Sequence, residues 1–322
     1  MTQLIRSAAL ALATACAASP ALAQNYPTKP VRLIVPFAPG AAQDLTGRLV
    51  AQKLTEAWGQ QVIVDNRPGA GSSIGAELAA RAVPDGYTML LGNEALAINA
   101  TLMKLAFDPL KDFAPISNVV INPRIFVAHP SVGNATMKDL IARAKAKPGS
   151  VRYGSSGVGT GPHLAGALLA SMSHTDMTHV PYKGAAPAMT DVMAGQIEMV
   201  AATIMSAIPF IDSGKLKPIA VTSPKRSSAL PNVPTVAEAA LPGYEATAWS
   251  MLLAPAKTPQ AIITKTHTDT ARFLQQPDVK ARLAREGAEP SGIDPKKSAE
   301  FLKAEITRWA KVIREAGVKS AE

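Results

Sequence analysis

Apolar runs of strand length alternate with helical patterns along this chain, and that alternation constrains the fold more than any other feature. The runs lie at 31–35, 61–65, 87–91, 124–128, 151–153, 197–202 and 217–221. Helical patterns lie at 44–58, 74–82, 136–146, 164–172, 187–194, 259–274 and 298–316. Strands separated by helices of this length imply α/β architecture with largely parallel sheets. Pro259 stands where a first-turn proline is tolerated, and Gly317 follows the last helix, where a terminal glycine is common.

Residues 1–23 read as an export signal rather than as part of the fold. Arg6 supplies the charged region, 8–18 the short apolar stretch, and Ala21-Leu22-Ala23 the cleavage signature. The mature chain is therefore expected in the periplasm. No later segment reaches the roughly 20 apolar residues of a membrane span. Cys16 is the single cysteine, and Ala13-Thr14-Ala15 lacks the leucine usual before a lipidated cysteine. Cleavage after Ala23 leaves no cysteine, which excludes disulfides, thiol nucleophiles and cysteine metal sites. About 300 residues then remain, enough for two lobes. The 33 basic residues exceed the 24 acidic ones, a formal charge of +9 to which Arg6 contributes, so the surface favours anions. Its lysines and arginines are scattered over helical faces, as at Lys138, Arg143, Lys145 and Lys147, without interleaved aromatics, so nucleic acid is not the expected partner.

The segment Tyr153-Gly-Ser-Ser-Gly-Val-Gly-Thr-Gly-Pro-His163 places glycines between a strand and a helix. Such a turn exposes unpaired amides at a helix N-terminus and can hold an anion, or it is simply a tight turn. It is no dinucleotide fingerprint, since the final glycine is broken, and no P-loop, since Pro162-His163 stand where lysine and a hydroxyl residue belong. The Gly-x-Ser-x-Gly register of a hydrolase elbow is also absent. Histidines at 129, 163, 174, 179 and 267 show no metal-ligand spacing and suit core or capping roles. What remains is recognition by backbone amides and by the hydroxyls of Ser155, Ser156, Thr160, Thr203 and Ser206. Neutral donors hold a carboxylate without the desolvation cost of a buried arginine, so none is expected at the site. Two other classes compete: a secreted hydrolase using Ser156 with His163, and an adhesion or scaffold protein.

Val31-Arg32 and Val151-Arg152 each open a strand, glycine-containing turn and helix in the same order, a faint internal echo. In doubly wound sheets ligands collect beyond the carboxyl ends of strands. The exits at 36–44, 92–95, 154–163, 181–186 and 203–206 qualify, and two lobes facing each other would enclose a cleft.

The motifs resemble the extracytoplasmic solute receptors of tripartite tricarboxylate transporters, the Bug proteins, over essentially the whole mature chain. They include Val35-Pro-Phe-Ala-Pro-Gly40 with Asp44 and Arg48, and Asp65-Asn-Arg-Pro-Gly-Ala-Gly71. Pro84-Asp-Gly-Tyr-Thr88, Tyr153-Gly-Ser-Ser-Gly157 with Gly159-Thr160, and His179-Val-Pro-Tyr-Lys-Gly184 follow, and later Leu230-Pro-x-Val-Pro-Thr235 and Leu241-Pro-Gly-Tyr-Glu245. The resemblance implies a type II periplasmic-binding fold: lobe 1 from 24–122 plus 248–322, lobe 2 from 123–247, closing on a small organic carboxylate. It implies a monomer with no cofactor, metal or enzymatic activity, working with membrane permease subunits or a sensor. Ligand contacts are expected from Phe37, Ala38, Gly40, Ala41, Gln43, Asn93 and Glu94 in one lobe. Ser155, Ser156, Gly157, Gly159, Thr160, His163, Ala186, Thr203 and Ser206 are expected from the other. Asp44 and His163 read first as caps or braces. The chain departs from the family at Ala41, where a second glycine is usual, and at Glu94, where small or hydroxyl residues are common. Glu94 either faces outward or faces the cleft, where it would repel an anion or favour an amine.

Overall fold

The computed structural model describes residues 26–132 and 135–319. The signal segment and Cys16 lie outside them.

The chain opens with β1 (Val31–Val35), α1 (Ala42–Trp58), β2 (Val62–Asn66), α2 (Ser73–Ala80), β3 (Thr88–Asn93), α3 (Glu94–Leu102) and β4 (Phe113–Asn122). It crosses to β5 (Arg124–Ala128), α4 (Met137–Ala146), β6 (Arg152–Ser155), α5 (Gly161–Ser173), β7 (Thr178–Pro181), α6 (Ala185–Met193), β8 (Met199–Thr203), α7 (Ile204–Asp212), β9 (Lys217–Val221) and α8 (Val236–Ala239). It returns through β10 (Ala248–Pro255), α9 (Gln260–Leu274), α10 (Pro277–Arg285), β11 (Glu289–Ile293) and α11 (Pro295–Glu315).

These strands form two sheets, ordered β11-β4-β10-β3-β1-β2 and β7-β6-β8-β5-β9. Each carries a parallel trio, β3-β1-β2 and β7-β6-β8. The remaining pairings are antiparallel, which corrects the expectation of largely parallel sheets. The reason lies in the connection between lobes. β4 carries the chain out of the six-stranded sheet and β10 brings it back beside β4, so the two run oppositely, with Ala248 facing Asn122. Within a parallel trio all carboxyl ends lie along one edge of the sheet. Phe37–Gln43, Asn66 and Asn93 thus stand side by side in one lobe, and the turns after Ser155, Pro181 and Thr203 in the other.

Helices cover both faces of the six-stranded sheet. One apolar cluster joins Val31, Leu33 and Val35 to Leu49, Leu54, Phe273 and Leu283. On the other face Ile34, Leu90 and Leu253 belong to a core that continues through Trp309 and Leu302 to Leu164 and Phe126 of the second lobe. The longest helix, α11, accordingly packs on α3 and β4 of one lobe and on α5 of the other. It is anchored by Glu305, whose Oε2 accepts from the indoles of Trp249 at 2.9 Å and Trp309 at 3.1 Å.

The internal echo has a structural counterpart. Arg32 of β1 donates to Asp65 of β2 at 2.6 Å, and Arg152 of β6 to Glu198, just before β8, at 3.0 Å. Both strands then release the chain into a turn and a helix.

Candidate ligand-binding cleft

The turn after β1 is fixed from below by one carboxylate. Asp44, 1% exposed, accepts from the Gly40 amide at 2.8 Å and from Arg48 at 2.9 Å through Oδ2. Through Oδ1 it accepts from Asn66 at 2.9 Å, and Asn66 also donates to the Phe37 carbonyl at 3.0 Å. Burial alone would raise the Asp44 carboxyl, but Arg48, the Gly40 amide and Asn66 outweigh it and hold it below its ordinary value. Gln43 is committed inside the same lobe. Its amide donates to the Leu91 and Gly92 carbonyls at 3.1 and 3.2 Å, and its oxygen accepts from Ser250 at 2.8 Å. Ala41 sits at φ −68°, ψ 156°, a conformation open to any residue, so the backbone does not require a glycine there.

The second turn is braced from within. Ser155, fully buried, accepts from the Gly157 amide at 3.1 Å, donates to the Gly157 carbonyl at 3.0 Å, and lies 2.6 Å from Nε2 of His179. Thr160 donates to that same carbonyl at 2.7 Å. His163 accepts the Gly159 amide on Nδ1 at 3.0 Å and stacks on His179 with ring centres 3.7 Å apart. An imidazole that accepts on Nδ1 is neutral. Burial pushes both histidines down to about 4, with His179 adding to the effect on His163. The hydroxyls of Ser155 and Thr160 are thus spent on the loop. Ser156 makes no hydrogen bond to a described residue, which leaves its amide and hydroxyl as uncommitted donors. Thr203 and Ser206 bond one another at 2.8 Å at the start of α7, and Ala186 is exposed in the first turn of α6.

Neither α1 nor α5 has a side-chain cap, nor do α2, α3, α6, α9 and α10, whereas α4, α7, α8 and α11 are each capped by a threonine or aspartate. The amides of the first turn of α1 are left for something other than the protein's side chains, whereas Gly161 at the start of α5 packs against the Glu94 and Arg124 side chains. The lobes meet at the N-termini of α3 and α5. Glu94, the first residue of α3, pairs with Arg124 at the start of β5, and a Cβ on Gly159 would come 2.8 Å from Leu102 at the end of α3. Arg124 also donates to the Ala246 carbonyl at 3.3 Å, so it sits where both crossing segments pass.

Arg124 overturns one expectation. A buried arginine does stand at the cleft, 5% exposed, and Glu94 neutralises it. Glu94 does not face outward; its side chain is 13% exposed and reaches the opposite lobe. The sequence signal that could have found Arg124 is a lone cation heading the otherwise apolar strand 124–128.

The geometry does not support the hydrolase constellation. In this turn the serine in contact with a histidine is the buried Ser155, with His179, while His163 is turned to Gly159 and Ser156 is bonded to neither. Among the described residues no group of three or more His, Cys, Asp or Glu side chains assembles as a metal site, and no helix is long and apolar enough to cross a membrane.

Two α/β lobes, linked by paired crossing strands and meeting at uncapped helix N-termini, define a solute-binding protein of the two-lobed periplasmic kind. The model of the tripartite tricarboxylate transporter family receptor matches residues 46–318, and the chain belongs to this family. BugT of Bordetella pertussis is 35% identical over 99% of this chain and 99% of its own length. Among solved structures, R. palustris Rpa4515 with adipate is 35% identical, covers 91% of this chain and 99% of its own, and superposes with a TM-score of 0.75. MatC from Rhodopseudomonas palustris with bound malate is 31% identical, covers 89% and 100%, and has a TM-score of 0.71.

Proposed function

We propose that this protein is a periplasmic receptor that captures a small organic carboxylate by closing its lobes. It delivers the ligand to the membrane permease of a tripartite tricarboxylate-type transporter or to a sensor. The lobes comprise 24–122 with 248–322, and 123–247, and the mature chain begins after Ala23 and acts as a monomer without cofactor or turnover. One observation carries the reading: α1 and α3 present uncapped N-termini side by side along the sheet edge where the lobes meet, and the turn that leads into α5 leaves Ser156 uncommitted. Their first-turn amides and partial positive charge suit a carboxylate. The relatives solved with adipate and malate support that ligand class.

The mechanism follows from where the polar groups are spent. Asp44, Asn66, Ser155, His163 and Thr160 hold the two turns in shape, so recognition falls to backbone amides of both turns, to Ser156, and to water bridging between them, which can be nearly as good as a direct bond. A ligand held by amides from both lobes is bound fully only when they meet, and that couples capture to closure. Each donor bond to a carboxylate is charge-assisted. None of these groups is an activated nucleophile.

Thermal denaturation against a panel of mono-, di- and tricarboxylates, amino acids and aromatic acids tests the proposal. A ligand at about 100 times its Kd adds roughly 2.7 kcal/mol of stability. A flat response across the panel sinks carboxylate capture; ester hydrolysis abolished by Ser156→Ala would replace it with the hydrolase.

A further inference from the structure

The ion pair at the junction of the lobes points to what the far end of the ligand carries, an inference that rests on the receptor reading above. Arg124 is buried and held at three points: its amide donates to Thr222 Oγ1 at 3.0 Å, its Nη1 to the Ala246 carbonyl at 3.3 Å, and its Nη2 to Glu94 Oε1. The pair packs directly on Gly161, the first residue of α5, leaving no room for a Cβ. Glu94 belongs to the other lobe, so its carboxylate is carried across the junction and set against both the guanidinium and the N-terminus of α5. Those are the groups that would otherwise hold an anion.

A ligand with a second carboxylate at this depth meets a position already filled by a tethered carboxylate. To use Arg124 it must displace Glu94 and leave that charge buried without a partner, which is strongly unfavourable. Glu94 also presents an unused acceptor: its Oε2 is buried and reached by no donor of the described residues, and the same is true of Oδ1 on the neighbouring Asn93. Buried acceptors of this kind call for a donor. An ammonium would supply one, but would add a cation beside a guanidinium whose charge Glu94 already balances. A hydroxyl supplies the donor with no charge to place.

We propose that Glu94, held by Arg124, is the specificity determinant that restricts this receptor to ligands with one carboxylate and a hydroxyl at the far end, and excludes diacids. The relatives solved with adipate and malate hold diacids.

Titration calorimetry on the wild-type protein and on Glu94→Gln decides the matter with probes of matched length. The four-carbon set is butyrate, γ-hydroxybutyrate, γ-aminobutyrate and succinate; the six-carbon set is caproate, ε-hydroxycaproate, ε-aminocaproate and adipate. In the wild type the hydroxy acid of at least one set should bind about tenfold or more tightly than its diacid and than its amino acid. In Glu94→Gln the freed guanidinium should accept the diacid, reversing that order. Wild-type binding of the diacid or amino acid as tight as that of the hydroxy acid overturns the proposal, and so does an unchanged ranking in the variant. If Glu94→Gln does not fold, the wild-type ranking decides alone. Failure of every acid to bind either protein instead overturns the receptor reading beneath it.

Discussion

Gly159 adopts φ +75°, and a Cβ there would lie 2.8 Å from Leu102 of the opposite lobe. Both facts bear on one substitution. Gly159→Ala forces a non-glycine residue into the left-handed region, at a cost of about 1–3 kcal/mol, and sets a methyl against the surface that must close. Chemical denaturation should register the first effect and calorimetry a fall in ligand affinity; an unchanged affinity would place Gly159 away from the closing surface. Asp44 gives a second expectation. Asp44→Asn removes the charge that binds Gly40, Arg48 and Asn66 together, and the urea midpoint should fall by the equivalent of about 2–3 kcal/mol. Its carboxyl is held below the unfolded value, so its contribution is present above that value and lost as pH falls through the folded one. Several residues read from the sequence as ligand contacts, Gln43, Ser155 and Thr160 among them, have polar atoms engaged within their own lobe. Residue type alone does not separate a donor aimed at a ligand from one aimed at a neighbouring carbonyl.

The β6 turn and α5 form a unit whose integrity depends on two neutral imidazoles. His163 must accept from Gly159, and its ring lies on that of His179. Both are depressed to about 4 from an unfolded value near 6.5. In that interval the unfolded chain binds more protons than the folded one, so stability is highest above about pH 6.5 and declines as pH falls towards 4. The rings line a groove open to solvent with Lys311 and Glu315. The loss should be on the order of 2 kcal/mol in all, discounted for the partial exposure of His179. Urea midpoints at pH 7 and 4.5 check it, and His163→Phe should flatten part of the slope. Element boundaries were legible where glycine, proline or a polar turn separates strand from helix, as around β1, β5 and β9. They were not legible where a strand runs straight into a helix. β3 ends at Asn93 and α3 begins at Glu94; β8 ends at Thr203 and α7 begins at Ile204. Without a turn residue between them, the apolar periodicity of strand and helix merges. β4 was hidden for another reason, since Pro115, Ser117 and Asn118 break its strand pattern and only pairing with β10 defines it.

Across the whole molecule the balance of charge favours anions, with 33 basic residues against 24 acidic. Association of a carboxylate measured by stopped flow should therefore slow several-fold between about 10 mM and 150 mM salt, as screening shortens the reach of that field. Dissociation, governed by short bonds in a closed cleft, should change little. A rate insensitive to salt would mean that the basic residues do not face the cleft mouth. The amino-acid sequence by itself determined the α/β class, the family motifs and the two strand-turn-helix units that hold the braced loops, because each is written in local periodicity and in short contiguous patterns. Tertiary structure alone decided the mixed sheets, the burial of Arg124 and its pairing with Glu94. Those partners lie 30 residues apart in sequence and in different lobes, so no local pattern encodes their meeting. Whether a glutamate at a strand exit repels a ligand, faces solvent or cancels a hidden cation depends on what the fold sets opposite it.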